Sequence, residues 1–579
     1  MDSDVLTRAG QADAAPSPSA SDPLWWRSAV IYQVYVRSFA DGNGDGTGDL
    51  AGVRARLGYL KDLGVDAIWF NPWYPSPLAD GGYDVQDYRD IHPQFGTLAE
   101  AEALIEEALA LGIRTIIDVV PNHISDQHPW FQEALAAGPG SPERERFWFH
   151  PGKGADGSEI PTHWVSSFQG ETWTRTTDPD GTPGEWYLHM FTPEQPDLNW
   201  NHPDVRREHE EILKFWFDRG VAGVRIDSAA LLIKDADLPE VGEKPDHPTE
   251  DRDELHDVYR SWRAIADSYP GTRVLVGEIW VPDIDRFTAY LRPDEMHTAF
   301  NFDFLARPWG ASAFRESISA TLAAHAPVGA PSTWVLSNHD VTRPVTRYGR
   351  EDTAFAFLKK RFGVPTDPQL GLHRARAAAL LVAALPGSLY IYQGDELGLP
   401  EVEDLPLELI EDPMHFRSGG TDPGRDGCRV PLPWSGDASP FGFGPEQSDP
   451  WLPQPADWSA LTVAAQHSDP GSTLNLYREA LRLRRELPEL GDGPLEWWDD
   501  AVAGDADVLA FTRGPGFACV VNAGDDPVPL PAGTTLLLSS TPLERGALPG
   551  NATAWLRTDA ATDPTPTITH TTEAGAPRG

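Results

Sequence analysis

Eight apolar runs recur along the middle of the chain, most of them separated by helical patterns. They are AVIYQVYV (29–36), AIWF (67–70), RTIIDVV (114–120), VAGVRID (221–227), RVLVGEIW (273–280), TAFNFDF (298–304), STWVLSNHD (332–340) and GSLYIYQGDEL (387–397). Near-continuous apolar strands mean a parallel sheet covered on both faces. The segments LAGVRARLGYLKDLG (50–64) and LAEAEALIEEALALG (98–112) read as the first two covering helices. Eight such strand–helix units predict the α/β class and a (β/α)8 TIM barrel.

The alternation breaks in two places. Residues 124–197 are rich in Pro, Gly, Trp and charge, and are expected to form an inserted small domain rather than a structureless loop. A second irregular insertion spans about 395–468, after which LNLYREALRLRREL (474–487) reads as the helix that closes the barrel. The barrel is thus expected over 22–123 and 198–490. From 491 to 579, the short runs VLAFTRG, FACVVNAG and TTLLLSS predict a C-terminal, sandwich-like antiparallel β domain with a loose tail. Residues 1–21, rich in Ala, Ser, Pro and Asp, read as a disordered tail.

Composition limits the partners. A formal charge of −42 argues against nucleic acid and anionic membranes. No run approaches the roughly 20 apolar residues of a membrane span, and the N-terminus lacks the basic and apolar regions of a signal peptide. The expectation is a cytoplasmic monomer or homodimer acting on a small molecule. Cys428 and Cys519 are far apart in sequence and imply no disulfide framework.

In such barrels the active site gathers at the C-terminal ends of the strands. Those ends read DVVPNH, GVRID, GEIW and SNHD, and the loop after the second strand reads ADGGYDV. They bring Asp227, Glu278 and Asp340 to one mouth, with Asp80, Tyr83, His123, Arg225 and His339. A lone carboxylate after a strand is usually a cap or a loop solvator. Three of them converging with two His, an Arg and a Tyr point to chemistry. Paired carboxylates suit glycoside hydrolysis, one as nucleophile and the other as a general acid kept protonated by burial. Arg225, two residues before Asp227 on the same strand face, would keep Asp227 ionised.

ADGNGDGTGDL (40–50) is a separate puzzle. Counted from Asp41, the twelfth position is Gly52 and not the Glu of an EF-hand. Its glycines do not fit the dinucleotide fingerprint either. Two readings remain: an oxygen-rich turn holding one hard cation, or a plain Asx/Gly loop.

DVVPNH, GVRID, GEIW and SNHD, in that order, resemble the α-amylase superfamily, glycoside hydrolase family 13. QPDLNW (195–200) resembles its α-glucosidase and oligo-1,6-glucosidase branch. The resemblance implies Asp227 as nucleophile, Glu278 as general acid/base, and Asp340 as the holder of the sugar's 2- and 3-hydroxyls. His123 and His339 would bind hydroxyls, Tyr83 would stack beneath the reacting glucose, and Asp118 would be structural. RDGCRVPLPW (425–434) is similar to a run of this branch, departing from it at Val430, Leu432 and Pro433. By that match Arg429 pairs with Asp80 and both grip the terminal glucose. The family also implies that Asp41, Asn43, Asp45, Thr47 and Asp49 hold a structural Ca2+ or Mg2+ ion. Ser228, just after the nucleophile, stands where relatives preferring α-1,6 bonds tend to carry Val and those preferring α-1,4 bonds Thr. Its hydroxyl implies a preference for short α-1,4 or α-1,3 glucosides. The function expected is a retaining exo-acting α-glucosidase, with transglucosylation as a related outcome of the same intermediate. The alternatives are a trehalose synthase-like maltose isomerase and, remotely, a non-catalytic transporter heavy chain.

Overall fold

The computed structural model describes residues 22–178, 180–502 and 507–558. The expected N-terminal tail, 1–21, and the expected loose C-terminal tail, after about 562, lie outside the described residues.

Eight parallel strands form one sheet: β1 Val30–Val34, β2 Ala67–Phe70, β3 Arg114–Val119, β4 Gly223–Ile226, β5 Val274–Gly277, β6 Thr298–Ala299, β7 Thr333–Val335 and β8 Ser388–Tyr392. Their spatial order is β7-β8-β1-β2-β3-β4-β5-β6. Between β6 and β7 the sheet closes through side chains, Thr298 and Thr333 hydroxyls bonding each other, and through the Asn301 N–H donating to the Thr333 carbonyl at 3.1 Å. The result is a nearly closed barrel.

Within the continuous apolar runs the side chains still alternate. Ile31, Trp69, Ile116, Val276, Val335 and Tyr390 fill the interior. Tyr32, Ile68, Ile117, Val224 and Leu275 face the helix layer. A strand's period of two fixes this, and it decides the site: Asp118 and Arg225 are register partners on β3 and β4. Counting on by twos from Arg225 and Val276 reaches Asp227 and Glu278.

The covering helices start at local signals. Thr97 and Glu100 form a capping box on Leu98–Ala110, and Pro203–Asp218 has proline in its first turn. Two elements differ from expectation. The first helix is split at Arg56 into Leu50–Ala55 and Leu57–Leu63, with the Arg56 guanidinium over the Trp434 ring. The sixth strand has only two residues, because the Asn301 side chain caps the helix Phe302–Ala306 by accepting the Phe304 N–H. Asn competes well for that role against an extended backbone.

The first inserted segment carries a three-stranded antiparallel sheet, Phe149–His150, Trp173–Thr177 and Pro183–Leu188. The C-terminal region forms a five-stranded antiparallel sheet, which docks on helix Pro368–Ala384 through Trp555, Thr553 and Arg513 bonds to its carbonyls. No helix of the described residues is long and apolar enough to cross a membrane.

Candidate active site

A cavity of about 300 Å³ opens at the C-terminal end of the barrel. Asp80, Tyr83, His123, Asp227, Ser228, Glu278, His339 and Asp340 line it together. Arg225 lies beneath its floor, 1% exposed, with its guanidinium over the Trp69 ring.

Arg225 organises three carboxylates. Its Nη1 donates to Asp118 and to Asp227, each at 2.7 Å, and its Nη2 is 2.7 Å from Glu278 Oε2. Asp118 also accepts the Tyr83 hydroxyl at 2.9 Å and the Trp69 indole at 3.2 Å, and is sealed from the cavity. Three carboxylates share one cation in a buried space. Burial pushes Glu278 up to about 7, and the charges of Asp227 and Asp340 push in the same direction against Arg225. Burial raises Asp227 to about 6, with Arg225 opposing. Of Asp227 and Glu278, Glu278 therefore holds a proton more firmly.

Ser228 is held in the left-handed region, φ 46°. That conformation is uncommon for a residue with a side chain and concentrates at functional sites. It aims the Ser228 N–H at Glu278 Oε2, 2.9 Å away.

Across the cavity, Gln33 Nε2 donates to His339 Nδ1 at 2.8 Å. An amide nitrogen can only donate, so Nδ1 is the acceptor and Nε2 carries the hydrogen. Nε2 lies 3.3 Å from Asp340 Oδ2. Burial pushes His339 well below the usual histidine range, which keeps it neutral. Its ring stacks on Tyr83 at 5.2 Å and 7°. Burial would raise Asp340, but the Arg425 and Arg429 guanidiniums hold it below the usual carboxylate range. His123 Nε2 sits 3.0 Å from Gln195 Nε2 and 3.1 Å from the Tyr83 carbonyl.

One expected pairing is corrected. Asp80 pairs with Arg425, at 2.5 Å, and not with Arg429. Arg425 also holds Asp412 at 2.7 Å and Asp340 at 3.0 Å. Arg429 instead donates to the His339 carbonyl at 2.9 Å and to Asp340 at 3.2 Å. Asp426–Cys428 form a single 3-10 turn that separates the two arginines, and only Arg425 reaches the wall that holds Asp80. Gln195, which donates to Asp80 at 3.1 Å, is a further site residue that sequence reasoning does not single out. Both lie inside motifs conspicuous in the sequence, RDGCR and QPDLNW.

In the loop 41–49 the carboxylates are engaged by nearby amides. Asp49 accepts from Gly42, Asn43 and Gly52, and Asp41 from Gly44 and Gly46. Among the described residues no group of three or more His, Cys, Asp or Glu side chains is placed to hold a metal ion. The donors are oxygens, as a hard cation needs, and a carboxylate oxygen that accepts one amide keeps further acceptor capacity.

The profile described as "Alpha amylase, catalytic domain" matches residues 33–493. The chain is 36% identical to a probable alpha-glucosidase of Rhizobium meliloti over 532 residues, 87% of this chain and 90% of that protein. It is 34% identical to an oligo-1,6-glucosidase of Parageobacillus thermoglucosidasius, covering 80% of this chain and 84% of the other. Among solved structures, an alpha-glucosyl transfer enzyme superposes with a TM-score of 0.78 at 34% identity, over 92% of this chain and 99% of that one. The trehalulose synthase of Pseudomonas mesoacidophila MX-45 does so with 0.78 at 30% identity, over 92% and 99%. The barrel, the carboxylates at its mouth and these relatives agree, and the chain belongs to the alpha-amylase family of glycoside hydrolases.

Proposed function

We propose that the protein is a retaining, exo-acting α-glucosidase that releases glucose from the non-reducing end of short α-glucosides. The observation that carries this reading is the Arg225 guanidinium, which holds Asp227 and Glu278 at 2.7 Å each. A retaining pair stands about 5–5.5 Å apart and an inverting pair wider; one shared guanidinium favours the shorter separation. In this reading Glu278 protonates the glycosidic oxygen while Asp227 bonds to C1. Glu278 then takes a proton from water, which attacks C1 and frees Asp227. The exo mode is supported by Asp80, Arg425 and Asp412, buried and mutually paired, which leave a chain no exit on that side. The loop 41–49 is proposed to take a structural Ca2+ or Mg2+ ion, on its donor chemistry and its resemblance.

A second reading, glucosyl transfer or isomerisation, is favoured by the likeness to an alpha-glucosyl transfer enzyme and a trehalulose synthase. It uses the same intermediate, intercepted by a sugar hydroxyl instead of water. Product analysis on maltose separates the two: hydrolysis gives glucose alone, whereas transfer or isomerisation gives new disaccharides, trehalose included. Asp227→Asn removes the covalent route and should lower kcat by at least about 10³-fold. Near-normal turnover in that variant would remove the nucleophile assignment.

A further inference from the structure

The two oxygens of Glu278 are not equivalent. Oε2 accepts the Ser228 N–H at 2.9 Å and lies 2.7 Å from Arg225 Nη2 in an ion pair. With an amide N–H bonded to it and a guanidinium cation beside it, Oε2 is the less favourable of the two oxygens for a proton. Oε1 has a single donor, the Trp280 indole Nε1 at 3.2 Å. Trp280 follows Glu278 by two residues and lines the same cavity. Although 40% exposed, its ring is fixed, stacked on Phe302 at 3.8 Å and 2° and edge-on to Phe357 at 5.3 Å.

We propose that Trp280 is a positioning residue for the reaction: its indole N–H holds Oε1, the oxygen that the partners of Oε2 leave to carry and deliver the proton, and stabilises Glu278 as it becomes a carboxylate. The inference rests on the reading of Glu278 as the general acid. In the first step the proton passes from Oε1 to the glycosidic oxygen. The C1–O electron pair goes to that oxygen, and Asp227 forms its bond to C1. Negative charge thus moves from Asp227 to Glu278. A hydrogen bond to a charged acceptor is stronger than one to a neutral acceptor, so the Trp280 bond strengthens during the step, as a catalytic interaction must.

The other titratable or charged groups around Glu278 are Arg225 and Asp227 from the end of β4, Asp118 from β3, and Asp340 and the neutral His339 beyond β7. Trp280→Phe leaves these in place and keeps a ring over Phe302, but removes the N–H. A donor to the ionised form lowers a carboxyl's pKa, so its loss raises it. The alkaline limb of kcat/KM should then move up by about half a pH unit. Turnover of maltose should fall about tenfold, and that of an aryl α-glucoside, which needs little proton donation, by less than about threefold. Trp280→Leu, which lacks both ring and N–H, should show the same limb shift with an added rise in KM.

Melting curves of both variants check that the fold persists. An unmoved limb, or equal losses on both substrates, overturns the inference. Glu278→Gln is run alongside: if it keeps turning over maltose, the acid assignment falls and the inference with it. If it loses maltose selectively while Trp280→Phe changes nothing, the inference alone falls.

Discussion

One arginine serving three carboxylates is the central electrostatic fact of this molecule. Arg225 cannot neutralise Asp118, Asp227 and Glu278 together, so the cluster keeps a proton near neutral pH, and the proton's place decides function. In the proposed mechanism Asp227 works ionised, so activity is expected to fall as pH drops through about 6. Glu278, as the proposed acid, works protonated, so activity is expected to fall as pH rises through about 7. The profile of kcat/KM should therefore be a narrow bell, and Glu278→Gln should erase its alkaline limb. A profile level well above pH 7 would take the acid role from Glu278. These residues are legible in the sequence because their positions follow from counting by twos along strands. Arg425 is not: two arginines stand four residues apart in one irregular segment, and nothing local says which meets Asp80, 345 residues away.

Among the elements, the loop after β1 ties the barrel to the second insertion. Asp49 caps the helix Leu50–Ala55, and the loop docks on the second insertion, Asp41 N–H on the Phe443 carbonyl at 2.8 Å and Trp451 N–H on the Gly46 carbonyl at 3.0 Å. Gly46 has φ 90°, and a Cβ there would lie 2.0 Å from the Asp449 carbonyl oxygen, so no side chain is tolerated. If the loop holds a structural cation, chelation should lower the Tm by at least about 2 °C while leaving kcat in the cold unchanged. Purified protein with no divalent metal by elemental analysis, and no shift in Tm, would leave a self-sufficient Asx turn. The short β6 teaches a related lesson: TAFNFDF has strand composition, but one Asn side chain capping three residues ahead turns its second half into helix.

At the scale of the whole molecule, substrate choice follows from which segments the barrel gathers around its mouth. The inserted segment supplies Phe168, Phe191 and Gln195, the second insertion Met414 and Arg425, and the strand ends the carboxylates. The wall at Asp80 is buried, whereas Trp280 and Glu250 are exposed at the rim. A chain blocked at one end favours short substrates. Ser228 lines the cavity and, at its expected place beside the leaving sugar, would offer a hydroxyl and slightly more space than Thr or Val. We therefore expect kcat/KM to rank maltose and nigerose above isomaltose, with long polymers poor. The margin should be modest, since one methyl in a pocket is worth about 1–3 kcal/mol. Isomaltose leading a series of disaccharides would overturn this role for Ser228 and leave the catalytic residues untouched.

The amino-acid sequence by itself determined much of this protein. The eight apolar runs and their helices, the strand-end carboxylates and the Arg225–Asp227 spacing are patterns of a few residues with a fixed period. Only the tertiary structure decided the rest. It chose Arg425 over Arg429 for Asp80, placed Gln195 against both Asp80 and His123, set Trp280 on one oxygen of Glu278, and ended β6 after two residues. Each of these depends on contacts between segments distant in sequence or lying in irregular loops, where no period carries side-chain direction from one residue to the next.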